Sequence, residues 1–321
     1  MASEIWVVGW DHDKVAIPEF TTSILARRNP LPVDPYLQDF IENKKWFTYH
    51  DVERWWNEYG KKKSAVKCQP DALGVEAMHY EQSTITSVGD LADMLTDFLY
   101  KMQKPDGKPV LTKEQTIEAK NHILKGLTVK QVREIIEGVP FTPGFEEAVE
   151  AFRGEGLTQT LYSDGLGVAV EHQGKRLNFD AYGGVPAIIE LSLYPREKVF
   201  SDNHFEELFP TDEEIEEARL TGRVEKYDKW EGFFGSLNGG EAYIPHVAVI
   251  DDSAANIKPM KQIQEAGGVA IAFNPTEPHE KQFREAEIPI LKQEKPHLGR
   301  FKEIVLAEPA GREDLIKAYC V

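Results

Sequence analysis

The stretch that most constrains this chain is residues 5–15, Ile-Trp-Val-Val-Gly-Trp-Asp-His-Asp-Lys-Val. A short apolar run ends in two carboxylates, Asp11 and Asp13, one residue apart. Such a run reads as a strand buried on both faces, the kind found in parallel sheets. In open α/β sheets, ligands collect at the carboxyl ends of the strands. Side chains alternate along a strand, so Asp11 and Asp13 are expected to point together and His12 to point away. Two neighbouring acids repel each other unless a cation or a shared proton relieves them. A hard, oxygen-binding ion such as Mg²⁺ suits that role. Taken alone, the stretch also reads as a strand end followed by an acidic turn.

The chain has 321 residues, enough for one large domain or two modest ones. Its 41% hydrophobic content supports a sizeable core, and its formal net charge is −17. That charge disfavours a nucleic-acid partner, whose phosphates need basic neutralisation. A small anionic substrate stays compatible, because a local cation overrides the global field. The two cysteines, Cys68 and Cys320, imply neither a disulfide framework nor a cysteine zinc site. The first residues, Met-Ala-Ser-Glu-Ile-Trp, lack the basic and apolar regions of a signal peptide, and no apolar run reaches membrane-spanning length. The expectation is a cytoplasmic protein without a membrane partner; oligomeric state has no signature here.

Beyond the opening stretch, helical periodicity covers residues 20–28, 36–59, 90–102, 112–124 and 128–136, so 18–135 reads as all-helical. The aromatic residues Trp46, Phe47, Tyr49, Trp55, Trp56 and Tyr59 form either a small core or an apolar lid facing a substrate. From residue 139 the pattern changes to a helix at 145–153, a strand at 157–163 ending in Ser163, and a helix starting near Gly167. Gly165 and Gly167 make only half of a dinucleotide fingerprint. Residues 177–228 read as a long connection holding a strand at 187–193 and a solvated acidic helix at 211–220. A buried strand at 247–250 then ends in Asp251 and Asp252, followed by a helix at 255–266, strands at 269–273 and 288–291, and a last helix at 312–319.

Three strand ends therefore carry candidate chemistry: Asp11 with Asp13, Ser163, and Asp251 with Asp252. A lysine stands upstream of the last. Carboxylates, a hydroxyl and an ammonium suit phosphoryl transfer, with a metal cancelling charge and an aspartate as nucleophile. The chain resembles the haloacid dehalogenase superfamily, in its phosphoserine-phosphatase-like branch. The first motif stands as Asp11-His-Asp13-Lys-Val15 and the second as Leu161-Tyr-Ser163-Asp-Gly165. The segment Thr142-Pro-Gly-Phe-Glu-Glu-Ala-Val resembles the helix before that second motif. The lysine motif stands best as Lys229-Trp-Glu, with Lys226 and Lys198 as competitors. The acidic motif stands as Val247-Ala-Val-Ile-Asp251-Asp252-Ser-Ala-Ala-Asn256.

The resemblance implies an α/β fold: a Rossmann-like parallel sheet flanked by helices, with an inserted all-helical cap domain. The core would be residues 1–17 and 136–321, and the cap residues 18–135. It also implies a Mg²⁺-dependent phosphatase, a hydrolase of phosphate monoesters, forming an aspartyl-phosphate on a small phosphorylated metabolite. Asp11 would be nucleophile and metal ligand. Asp13 would be general acid and base, with its carbonyl on the metal. Ser163, the amide of Asp164 and Lys229 would hold the substrate phosphate. Asp251 would bind Mg²⁺, and either Asp252 or Asn256 would complete its site. The cap is longer than is usual for the branch, and the substrate-reading glutamate has only Glu19 nearby. The alternatives are a phosphotransferase or nucleotidase of the same fold, or a non-catalytic relative whose cap binds a partner.

Overall fold

The computed structural model describes residues 4–29, 117, 121, 123–190, 197–199, 211–237 and 240–321. The helices expected at 36–59 and 90–102, and most of 112–124, lie outside them. The described strands are β1 (Val7–Asp11), β2 (Thr158–Leu166), β3 (Ala181–Val185), β4 (Ala187–Glu190), β5 (Glu197–Val199), β6 (Arg219–Val224), β7 (Val247–Asp251), β8 (Val269–Phe273) and β9 (Ile290–Leu291). The described helices are α1 (Thr21–Arg28), α2 (Val129–Glu137), α3 (Phe145–Gly154), α4 (Gly167–Arg176), α5 (Asp212–Glu217), α6 (Lys229–Ser236), α7 (Ile257–Glu265), α8 (Glu277–Glu285), α9 (Gly299–Leu306) and α10 (Pro309–Tyr319). The chain divides into two units. One takes Met1–Phe20, Glu137–Val185 and Tyr227–Val321; the other takes Thr21–Ile136 and Pro186–Lys226.

In the first unit the strand order is β3-β2-β1-β7-β8-β9, and every pairing is parallel. The chain builds outward from β1 to one side and then, from β7, to the other. That reversal opens a crevice at the carboxyl ends of β1 and β7. The register sets Asp11 opposite Tyr162 of β2, and Trp10 opposite Ile250 of β7.

All five residues of β1 are buried, because helices cover both faces. Val8 and Trp10 face one layer, where Phe145 and Phe152 of α3 and Phe301 of α9 pack. The spacing of Phe145, Ala148, Val149 and Phe152 makes a buried stripe along α3. The Trp10 ring sits 5.0 Å from Phe145 and 5.2 Å from Phe301, edge to face in each case. Val7 faces the other layer, with Phe233 of α6, Met260 and Ile263 of α7, and Phe283 of α8. Gly9 alternates onto this side. A Cβ there would lie 2.7 Å from the Phe233 ring, so glycine is what lets α6 approach β1.

The second unit contains an antiparallel sheet in the order β5-β4-β6. Its β6 edge is extended by residues 126–129, where Gly126 N donates to Leu220 O and Leu220 N to Leu127 O, both at 2.8 Å. Thr211 and Glu214 close a reciprocal capping box on α5, and Arg133 of α2 pairs with Glu216.

Several expectations need correction. Residues 177–228 are not a connection: β3 joins the main sheet, and 186–226 groups with 21–136, β4 pairing with β6 and the β6 edge bonding to 126–129. By contacts, residues 186–226 fall with 21–136 rather than with the rest of 136–321, and that unit carries strands as well as helices. Strand β2 continues past Ser163 to Leu166, with a register shift against β3 between Tyr162 and Leu166. No described helix is long and apolar enough to cross a membrane.

Candidate active site

Asp11 is the last residue of β1, and Asp251 is the last residue of the neighbouring β7. Adjacent parallel strands ending together bring their terminal side chains to one point. Asp11, Asp251 and Asp252 each place a carboxylate oxygen within 4.8 Å of the others, and all three are buried.

One ammonium enters this cluster. Lys229 is 4% exposed, and its Nζ donates to Asp11 Oδ1 at 2.7 Å and to Asp251 Oδ2 at 2.5 Å. It is the first residue of α6. The Asp228 side chain caps that helix, accepting from the Trp230 and Glu231 amides at 2.9 and 3.1 Å. A cation at a helix N-terminus is disfavoured by the dipole, so its two carboxylate partners must outweigh that cost. Lys226 is exposed, and the side chain of Lys198 lies outside the described residues.

Asp251 is held from three sides. Asn256 Nδ2 donates to both of its oxygens at 2.9 Å, and Ser253 N donates to Oδ1 at 2.8 Å. Asn256 is fixed in turn by the Trp230 indole, which donates to its Oδ1 at 2.8 Å. Asn256 therefore buttresses Asp251 through its amide hydrogens, and Asp252 belongs to the three-acid cluster.

The charges do not balance. Burial pushes the Asp11 carboxyl well above the usual carboxylate range; Lys229 opposes that shift, and Asp251 and Asp252 reinforce it. Burial, with Asp251 beside it, raises Asp252 to about 7. Burial by itself would discharge Lys229, but Asp11 and Asp251, reinforced by Asp164, hold it protonated. Three buried carboxylates against one buried ammonium leave a deficit that a divalent cation would fill. The donors are all oxygen, which suits a hard ion rather than zinc.

The remaining expected residues sit close by. Ser163 is 1% exposed, and its Oγ accepts from Gly165 N at 3.0 Å. A Cβ at Gly165 would lie 3.1 Å from Ser163 Oγ and 3.2 Å from Asp13 Oδ2, so those two oxygens converge on this glycine. Asp164 is half-buried, and Glu19 is exposed. His12 departs from expectation. Strand β1 stops at Asp11, the chain turns, and alternation no longer applies. The fully buried His12 ring meets Asp13 Oδ1 through Nδ1 at 3.0 Å and Gln173 Oε1 through Nε2 at 2.6 Å. Sequence reasoning missed Gln173 and the Trp230–Asn256 pair.

No protein-family model matches the chain, and no curated protein matches it by sequence. Solved structures do. A phospho-aspartyl intermediate analogue of phosphoserine phosphatase is 17% identical over 92% of this chain and 96% of its own, with a TM-score of 0.51. A gene product of Archaeoglobus fulgidus is 11% identical over 98% of this chain and 86% of its own, with a TM-score of 0.50. At such identities the likeness is one of architecture. With its six-stranded parallel sheet between two helical layers, the chain shares its fold with that phosphoserine phosphatase structure.

Proposed function

We propose that this protein is a Mg²⁺-dependent phosphomonoesterase acting on a small phosphorylated substrate through an aspartyl-phosphate at Asp11. The observation that carries the reading is the buried Lys229 ammonium bridging Asp11 and Asp251 at the edge of a three-acid cluster. A structural ion pair needs one acid per base; this arrangement has two acids in excess, at the crevice where α/β sheets bind ligands.

Asp11 Oδ attacks phosphorus, and the bond from phosphorus to the leaving oxygen breaks. Asp13 gives that oxygen its proton. Lys229 and Ser163 stabilise the non-bridging phosphoryl oxygens. Asp13, now a carboxylate, takes a proton from water as that water attacks phosphorus, and the bond to Asp11 breaks. Asp11, Asp251, Asp252 and the Asp13 carbonyl would hold Mg²⁺, which supplies neutralisation of carboxylate and phosphate charge. In the accompanying domain reading, residues 1–20, 137–185 and 227–321 form the catalytic core, and the rest form an inserted cap.

The test is hydrolysis of p-nitrophenyl phosphate and a panel of small phosphate monoesters, with Mg²⁺ and with EDTA. Turnover that requires Mg²⁺ supports the reading. A folded, Mg²⁺-loaded protein inert to the whole panel contradicts it.

A further inference from the structure

We infer that His12, braced by Gln173, is a positioning residue that aims the Asp13 carboxyl at the leaving-group oxygen; this rests on the phosphatase reading and names a part that reading does not contain. His12 and Gln173 are both fully buried. Packing alone would be served by an apolar side chain there. A buried imidazole instead needs partners for both nitrogens or it costs stability. The partners are specific. The Gln173 amide oxygen can only accept, so His12 Nε2 donates to it at 2.6 Å. The ring is thereby pinned, and Nδ1 meets Asp13 Oδ1 at 3.0 Å. That contact ties Oδ1 to the ring.

The consequence is directional. An aspartate carboxyl turns about a broad, two-fold torsion, so its orientation must be set from outside. With Oδ1 held by His12, Oδ2 is turned toward Gly165, where Ser163 Oγ also converges. Gln173 lies on α4, the helix that begins directly after the Ser163–Gly165 segment. One short stretch of chain thus supplies both the phosphate-facing hydroxyl and the brace behind the proton donor. Misplacing a reacting group by about 1 Å is expensive in rate, so a brace of this kind bears on turnover without touching substrate.

The test compares kcat/KM for two aryl phosphates in wild type, His12→Phe and Gln173→Met. Phenol is about as weak an acid as tyrosine and leaves poorly unless protonated. p-Nitrophenol is more acidic and leaves with little help. Loss of aim at Asp13 should lower kcat/KM for phenyl phosphate by about tenfold or more beyond any loss on p-nitrophenyl phosphate. Gln173→Met should show the same selective loss, smaller in size. If His12→Phe does not fold, Gln173→Met decides, since it keeps His12 and the side-chain length. Equal losses on both esters, or no loss, in a folded variant would overturn the role of His12 while leaving the phosphatase reading intact. A wild type inert to both esters would overturn that reading and this one with it.

Discussion

Lys229 and Asp11 stand 218 positions apart in sequence, yet their side chains share a 2.7 Å hydrogen bond that is almost wholly removed from water. The same ammonium reaches Asp251, so one cation ties the ends of two adjacent strands together. Removing it strands the acids. Lys229→Met keeps the side-chain length and deletes the charge. Breaking a buried pair by removing one partner costs about 3–5 kcal/mol, and protonation of the acids returns part of that. The variant should melt well below wild type in EDTA, with a larger Mg²⁺-induced rise in Tm. A melt matching wild type in EDTA would mean that the ion pair is not formed in solution.

Gly9 sets how closely α6, and therefore Lys229, approaches β1. Gly9→Ala would place a methyl 2.7 Å from Phe233 Cε2 and 3.0 Å from Val249 Cγ1. Overpacking of this kind costs about 1–3 kcal/mol, and the shift of α6 should lower activity as well. Adding Phe233→Leu to make room should recover part of the lost Tm. A single variant as stable and active as wild type would show that α6 does not sit so close.

Asn256 donates to both oxygens of Asp251, which an aspartate there cannot do. Asn256→Asp should therefore lower the Tm of the metal-free protein by setting two carboxylates against each other. The added charge beside a divalent ion should tighten its binding, by roughly tenfold on the scale of outer-shell changes. Calorimetric Mg²⁺ titration of both proteins reads this. Weaker binding in the variant would mean that the donated hydrogens matter more than the charge.

The cluster also sets a pH dependence for the metal-free protein. Asp252 is raised to about 7 and Asp11 is raised as well, both chiefly by burial. A carboxyl whose folded pKa exceeds its unfolded value of about 3.9 keeps its proton when folded and loses it when unfolded. Over that interval the native state binds more protons, so stability falls as pH rises from about 4 to about 7. Lys229, raised from a higher starting value, contributes no slope there. Melts in EDTA across this range should show a declining Tm, and saturating Mg²⁺ should flatten the decline. A Tm that climbs with pH in EDTA would contradict the charge imbalance.

Much of the sheet was legible because its central strands are uninterrupted apolar runs ending in polar residues: β1, β7 and β8 stand where periodicity set them. The helix that carries Lys229 has a local signal as well, since Trp230, Phe233 and Phe234 stand at helical spacing and pack on the apolar sheet. Strand β3 was not, because Ala-Tyr-Gly-Gly-Val carries two glycines and reads as a loop. Here glycine reflects crowding: a Cβ at Gly184 would lie 2.9 Å from Gly165 O. Strand β6 hid behind the acidic run of α5, and α8 is too polar to show a stripe. His12 was misread because alternation was extended one residue beyond the strand, and its partner Gln173 lies 161 positions away. Long-range pairing of that kind leaves no local periodicity to detect.

The most direct measurement is turnover of p-nitrophenyl phosphate by wild type and Asp11→Asn in saturating Mg²⁺, with Tm recorded for both proteins in EDTA. The amide is nearly isosteric with the carboxylate but is a poor nucleophile. It also removes one of three crowded buried acids. The account predicts a well-folded variant, with a Tm equal to or above that of the wild type, whose kcat falls by roughly a thousandfold or more. A folded Asp11→Asn protein that keeps kcat within about tenfold of wild type would contradict aspartyl-phosphate chemistry at Asp11.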